Sequence, residues 1–347
     1  MACGHASFSV PGNDTFQKDI DTFQYSLYSV GVPTQGHLFF IVYLTVFSRQ
    51  KHSEALSHTQ GSIRIKQTEY SRVSIRAILL DFDGTSLQRD QVYISFANKH
   101  AIQAALDRGI EVIPCTGRCE DMFPPQIEAE KRIRYWITAN GARVVDRQTH
   151  EVIHQSLFTP EESAMLCRLF ESRHIYSEIS ANGRIYMERE VCAALERYPV
   201  PPHHVWFLEA GRQIEIDKPS EYFLQHRIGI EKVNIYGVPQ QEQLPLLQAL
   251  ERSGVAAITE GAGIDVQFFP IRQRRTDALA ALFQRLGYGY ESMMSIGDSV
   301  LDREMLENAA IGVAMGNAPD AIKACADFVT APYYEDGVAR AIEKFLL

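Results

Sequence analysis

Four apolar residues, Ala77-Ile78-Leu79-Leu80, run straight into Asp81-Phe82-Asp83-Gly84-Thr85. A short, continuous apolar run of this kind suits a strand covered on both faces of a parallel sheet. In such sheets ligands bind in the crevice beyond the carboxyl ends of the strands, which is where Asp81 and Asp83 fall. An extended trace continued through both residues would point the two carboxylates the same way. Like charges that close raise each other's pKa. A divalent cation removes the conflict, and oxygen ligands suit Mg²⁺. Gly84 lets the backbone turn sharply beside a ligand, and Thr85 adds a hydroxyl. The plain alternative is an Asp-Gly hairpin turn, but no alternating partner strand follows at hairpin distance.

With 347 residues, one large or two modest domains are expected. A net charge of −9 and a pI near 5.7 argue against a nucleic-acid surface. None of the six cysteines forms a Cys-x-x-Cys pair, which argues against a zinc site. Sparse cysteines in a chain this large fit a reducing cytosol, so a cytoplasmic location is expected. The first segment, residues 1–73, stands apart. Its apolar run, Leu38 to Phe47, falls short of the about 18 residues a membrane span needs, and no charged n-region or cleavage site frames it as a secretory signal. The expectation is that translation begins near Val73 from a non-ATG codon and that residues 1–73 are an extension that is not native. A membrane tether is the minor alternative. Peptides from before Lys66 in the endogenous protein would overturn the first reading.

After the carboxylates, Ser95 is placed to cap a helix running to about Arg108, with Gly109 as its stop. A second apolar strand, Ile110 to Cys115, completes a strand–helix–strand crossover, nearly always right-handed. It ends in Thr116-Gly117-Arg118, at the same sheet edge as Asp81. Arg118 reads equally as a charge near the site or as a surface arginine. Tyr135 to Thr138 reads as a third strand, and Asn140-Gly141 as a two-residue hairpin turn into Val144-Val145. From about Ser156 to Phe268 helices and strands mix, as in an α+β layer. Thr159-Pro160-Glu161-Glu162 is a capping box opening a helix to about Ser172. Strands are expected at Tyr176–Ile179, Arg184–Met187, Lys232–Tyr236, Val255–Thr259 and Ile264–Phe269. His203-His204 lacks metal-ligand spacing and is expected in a loop or on the surface. Beyond this segment, Met293 to Ile296 is another buried strand, ending in Gly297-Asp298. Asp298 and Asp302 lie four apart, on one side of an incipient helical turn, although each alone also reads as a helix cap.

Taken in order, Asp81-x-Asp83-Gly84-Thr85, Thr116, the basic Arg275 ahead of Ala278-Leu279, and Gly297-Asp298 with Asp302, Met305 and Leu306 resemble the motifs of the haloacid dehalogenase-like phosphatases. Ala139-Asn140-Gly141-Ala142 and Glu335-Asp336-Gly337-Val338 resemble the Cof-type branch. The resemblance covers about Ile75 to Leu347. It implies an α/β fold: a Rossmann-like core with a parallel sheet from residues 74–155 and 269–347, and an inserted α+β cap from 156–268 acting as a lid. It implies that Asp81 attacks phosphorus, that Asp83 acts as acid and then base, and that Thr116 hydrogen-bonds the transferring phosphoryl group. Mg²⁺ would be held by Asp81, the backbone carbonyl of Asp83, and Asp298, with Asp302 orienting it. Gly84, Thr85, Gly117, Arg118 and Asn317 are expected to border the phosphate.

Two departures stand out. Arg275 occupies the place of a lysine that pairs with the nucleophilic Asp and the phosphate, which turns a point charge into a planar fork. Leu301 replaces an asparagine, losing a buried amide contact. The expected activity is Mg²⁺-dependent hydrolysis of small phosphorylated metabolites by a monomer or homodimer. The alternative is a catalytically weakened protein that binds a phosphorylated ligand.

Overall fold

β1 (Ala77–Leu80) is an interior strand with every residue fully buried. The computed structural model describes residues 74–347 except Ser172, His174 and residues 261–265, so the expectations for residues 1–73 lie outside the described residues. β1 pairs in parallel with β2 (Glu111–Pro114). Between them the helix Phe96–Asp107 starts where expected, with the Ser95 hydroxyl accepting the Asn98 N–H at 3.0 Å. β3 (Tyr135–Thr138) continues this edge through a single parallel bridge, Cys115 to Ile137. It also opens an antiparallel sheet with β4 (Arg143–Asp146) and β5 (Glu151–Gln155).

The turn between β3 and β4 differs from expectation. Thr138 pairs with Arg143, so the loop is Ala139–Ala142 and not the dipeptide Asn140-Gly141. Tertiary bonds shape it. Ala139 N–H donates to the Arg118 carbonyl and Asn140 N–H to the Thr116 carbonyl, at 2.9 and 3.0 Å. Ala139 and Asn140 are thereby held at φ of +49° and +58°.

The chain then builds a second sheet before returning. Its strands are β6 (Tyr176–Ala181), β7 (Arg184–Glu188), β8 (Ile214–Ile216), β9 (Lys232–Tyr236), β10 (Ala256–Glu260) and β11 (Val266–Pro270), in the order β10-β11-β9-β6-β7-β8. β11 runs on past the expected boundary at residue 268. The capping box at Thr159 and Glu162 forms, but its helix stops at Cys167 instead of Ser172. Leu169 and Phe170 bond three residues back instead of four, which tightens the last turn and buries Phe170 among Phe223, Leu246 and Leu250. Burying a large apolar side chain is worth about 1.5–3 kcal/mol, enough to override helix continuation.

The return strands are β12 (Met293–Gly297), β13 (Ile311–Ala314) and β14 (Phe328–Val329). The parallel sheet reads β14-β13-β12-β1-β2, and β1 lies directly against β12. Ile78 and Leu80 pack on one face, with the helices Phe96–Asp107 and Gly337–Leu346. Ala77 and Leu79 pack on the other, with Leu279 and Leu282 of the helix Arg275–Leu286. This is why the β1 run does not alternate: both faces are core. Among the described residues no helix is long and apolar enough to cross a membrane.

Candidate active site

Because β1 and β12 are parallel neighbours, the residues after them emerge at one sheet edge. Asp81, Asp298 and Asp302 offer oxygens all within 4.8 Å of one another. Burial, then Asp302, Asp83 and Asp298, push the Asp81 carboxyl well above the usual range. Burial and Asp302 raise Asp298 to about 6, although the Thr85 hydroxyl, donating at 3.0 Å, opposes this. Packing three carboxylates with one nearby cation, Arg275 on Asp302, is costly, and an all-oxygen set is the chemistry of a hard divalent cation. The residues therefore fit a Mg²⁺-type ion.

The positions of these groups are determined locally. After Asp81 the chain coils into a turn over Phe82–Ser86, with Gly84 at φ +77°. A Cβ on Gly84 would lie 2.3 Å from Asp298 Oδ2, so the glycine is what lets the two motifs touch. Asp302 is held by three donors on Oδ2: the N–H groups of Asp298 and Ser299 and the Ser299 hydroxyl, at 3.2, 3.0 and 2.8 Å. Asn317 spends its amide on the Gly84 carbonyl and Asp298 Oδ2, at 2.8 and 3.2 Å. In this structure it positions a carboxylate, where a phosphate contact was expected.

The turn also separates Asp83 from Asp81. The Asp83 carboxylate lies outside the acidic group and faces Arg118, which is itself buried. Burial acts to raise the Asp83 pKa, but the Arg118 charge and its hydrogen bonds outweigh that and hold the carboxyl below its usual range. Arg118 is thus no surface arginine. The buried Thr116 hydroxyl oxygen accepts the Arg118 N–H at 3.2 Å, leaving the hydroxyl proton uncommitted.

Arg275 departs from expectation. It does not pair with Asp81. Its Nη1 donates to the Leu301 carbonyl at 2.7 Å and to Asp302 Oδ1 at 3.1 Å. Leu301 itself is 45% exposed, so the amide expected in its place would not stand at a buried position. Arg272, by contrast, pairs with Glu162 of the capping box at 2.7 Å.

Asp81, Asp83, Gly117, Arg118 and Arg275 line a cavity of about 400 Å³ together with His203 and His204, expected in a loop or on the surface, and with four residues given no role from sequence: Lys232, Asn234, Tyr236 and Gln267. His204 corrects the surface expectation: it is buried, with Nδ1 2.7 Å from Glu178 Oε1. His203, through burial and its neighbours His204 and Arg118, is pushed down to about 4. A signal for the cap residues was present. Lys232-Val233-Asn234-Ile235-Tyr236 alternates with period two, and Val233 and Ile235 enter the cap core. The opposite, polar face looks into the cavity.

A family profile described as haloacid dehalogenase-like hydrolase matches residues 78–342. This chain belongs to that family. Among curated relatives, the 5-amino-6-(5-phospho-D-ribitylamino)uracil phosphatase YcsE of Bacillus subtilis is 28% identical over 79% of this chain and 97% of its own length. The phosphatase YwpJ of the same organism is 26% identical over 78% of this chain and 100% of its own. A solved haloacid dehalogenase-like hydrolase from B. subtilis is 27% identical and superposes with a TM-score of 0.62 over 79% of this chain and all of that one. A second, from Bacteroides thetaiotaomicron, shares the fold at a TM-score of 0.67 and 23% identity, over 79% of this chain and 100% of its own. Within the family the chain is a Cof-type member, and like those relatives it is a phosphatase. The parallel sheet is the Rossmann-like core, and the mixed sheet is the cap.

Proposed function

We propose that this protein hydrolyses small phosphorylated metabolites through an aspartyl-phosphate on Asp81, with Mg²⁺ as cofactor. One observation carries the reading: carboxylates from two distant stretches, Asp81 against Asp298 and Asp302, converge on one point at the wall of the cavity. Asp81, the Asp83 carbonyl and Asp298 would hold the ion, with Asp302 orienting that set through its bonds to the Asp298 and Ser299 backbone. When bound, the ion supplies positive charge that offsets the acidic cluster and the phosphoryl oxygens.

The chain's own groups divide the remaining work. An Asp81 oxygen bonds to phosphorus as the ester P–O bond breaks, splitting one displacement into two easier ones. The departing oxygen takes a proton from Asp83. Water then attacks phosphorus, gives its proton to Asp83, and frees Asp81 and inorganic phosphate. General acid–base help of this kind is worth about 10²–10⁴-fold. The Arg118 fork fixes the orientation of the Asp83 carboxyl for both transfers. The Thr116 hydroxyl proton and Gly117 border the phosphoryl position. Arg275 acts at one remove, by neutralising Asp302. The domain limits follow the sheets: core from 74–155 and from the end of β11 onward, cap between.

The test is phosphate release from a panel of sugar phosphates, pyridoxal phosphate, flavin mononucleotide and an aryl phosphate, with and without Mg²⁺. Turnover that needs Mg²⁺ and disappears in Asp81→Asn is the expected result. Ligand-induced thermal stabilisation without any turnover would replace the enzyme with a binding protein.

A further inference from the structure

Three cap strands align one polar row across the sheet. Glu178 of β6 stands opposite Asn234 of β9, and Asn234 stands opposite Gln267 of β11. Directly opposed residues on paired strands share a face, and Asn234 and Gln267 both line the cavity that holds Asp81 and Asp83. Asn234 is 5% exposed, and its Oδ1 is buried without a hydrogen-bond partner. Leaving a buried acceptor unmade is expensive, and such groups in folded proteins are met by a donor from protein, water or ligand.

The direction in which this acceptor points is not free. Glu178 is fully buried, and its Oε1 takes the Tyr176 hydroxyl at 2.6 Å and His204 Nδ1 at 2.7 Å. Those contacts, with the Asn234 amide, keep the Glu178 carboxyl below its usual range against the effect of burial. An ionised carboxylate only accepts. The Asn234 NH₂ is the group suited to face Glu178, whose Oε2, like Asn234 Oδ1, is buried without a partner. The neighbouring cation on the same face is directed elsewhere: Lys232 Nζ donates at 2.5 Å to the Gly117 carbonyl on the core side, and Asn234 Oδ1 takes no bond from it.

We propose that Asn234 Oδ1 accepts a hydrogen bond from a hydroxyl or N–H group on the alcohol portion of the phosphate ester. The site then selects polar, donor-bearing leaving groups over alkyl ones. This rests on the phosphatase reading and deepens it. Glu178 is a positioning residue in this scheme, with Tyr176 and His204 fixing its carboxylate beside Asn234.

The experiment compares D-sorbitol 6-phosphate (hydroxyl donors), 4′-phosphopantetheine (mainly amide N–H donors) and n-hexyl phosphate (no donor beyond the ester), in the wild type and in Asn234→Leu. Kd values by calorimetry accompany kcat/KM. The wild type is expected to favour at least one donor-bearing ester over hexyl phosphate by about tenfold or more. Asn234→Leu is expected to cut that ratio about 10–100-fold, in line with loss of one buried hydrogen bond. Loss confined to sorbitol 6-phosphate assigns the donor as hydroxyl, and loss confined to phosphopantetheine assigns it as N–H. A wild type with no preference overturns the proposal even where the variant fails to fold, as does a ratio that Asn234→Leu leaves in place. Absence of turnover on all three would count against the proposed hydrolysis alone, since the Kd ratios still decide the Asn234 question.

Discussion

Arg118 grips Asp83 with two bonds, Nε to Oδ2 at 2.8 Å and Nη2 to Oδ1 at 2.5 Å. The same guanidinium donates to the carbonyls of Met122 and Gln91, at 3.2 and 2.7 Å, so its own position is over-determined. A planar fork can hold a carboxylate in one orientation where an ammonium cannot. Arg118→Gln is expected to lower kcat about 10–100-fold, less than the about 10²–10⁴-fold that acid–base help as a whole is worth, with Arg118→Lys in between. Steady-state kinetics on variants of verified circular dichroism would decide it. A wild-type kcat in Arg118→Gln would mean that Asp83 needs no holding.

Gly84 tests whether the two acidic stretches must touch. Alanine there meets Asp298 Oδ2 at 2.3 Å and sits at φ +77°. Both effects oppose the substitution, at about 1–3 kcal/mol for the backbone alone. Gly84→Ala is expected to melt lower and to lose more than about tenfold in rate, because Asp298 must move. Retention of both would show that the turn has room to spare.

The acidic cluster should cost stability when no cation is present. Replacing Asp81, whose pKa is raised by burial and by Asp302, Asp83 and Asp298, removes one repelling charge. Asp81→Asn is therefore expected to melt higher than the wild type in chelator. Adding Mg²⁺ should stabilise the wild type by about 2.7 kcal/mol at a hundred times its Kd, and the variant by much less. Equal Mg²⁺ responses would place the ion elsewhere.

Arg275 and Leu301 are linked through the Arg275 bond to the Leu301 carbonyl. Residues in contact couple by about 0.5–3 kcal/mol. Arg275→Lys alone leaves Asp302 Oδ1 without its fork and is expected to lower kcat/KM about 3–30-fold, on the scale of one charged hydrogen bond. Adding Leu301→Asn should change this non-additively. Strict additivity in the double-mutant cycle would argue that the two positions are independent.

Away from the site, Asp146 is fully buried and takes two bonds from Arg134 Nε and one from Nη2, at 3.0, 3.0 and 2.6 Å. These bonds hold its carboxyl well below the usual range. A depressed folded pKa means stability that is fully present above the unfolded value of about 3.9 and lost as pH falls through the folded one. Asp146→Asn is expected to cost about 1.5–3 kcal/mol at pH 7, with the gap to wild type closing below about pH 4. A gap that stays constant from pH 7 to pH 2 would assign the loss to packing instead.

How far these relationships were readable in the chain depends on how local they are. The β1 strand ahead of Asp81, the Ser95 cap and the Thr159 capping box involve residues close in sequence, and each lies where expected. The failures are non-local. Asn140-Gly141 has the composition of a tight hairpin, yet bonds to Thr116 and Arg118 open it into a longer loop. The helix after Thr159 has no breaker before Ser172, yet it ends early because Phe170 is drawn into the cap core. His204 carries no local pattern that reveals burial, and its place beside Glu178 comes from a strand 26 residues away.

The amino-acid order by itself determined the chemistry available. It dictated which carboxylates, hydroxyls and cations exist, that a doubly buried strand delivers Asp81 to a sheet edge, and that a separate segment interrupts the core. Side-chain type and periodicity are properties of neighbours, so a linear text carries them. Which groups pair was decided only in three dimensions. Asp83 turned to Arg118, Arg275 to Asp302 and Asn317 to Asp298, because each pairing depends on distances of a few ångströms between stretches separated by many residues. Electrostatic and hydrogen-bond energies change over that scale, and sequence spacing says nothing about it. The cap face lies between these cases: its alternation was written in β9, but what it faces was not.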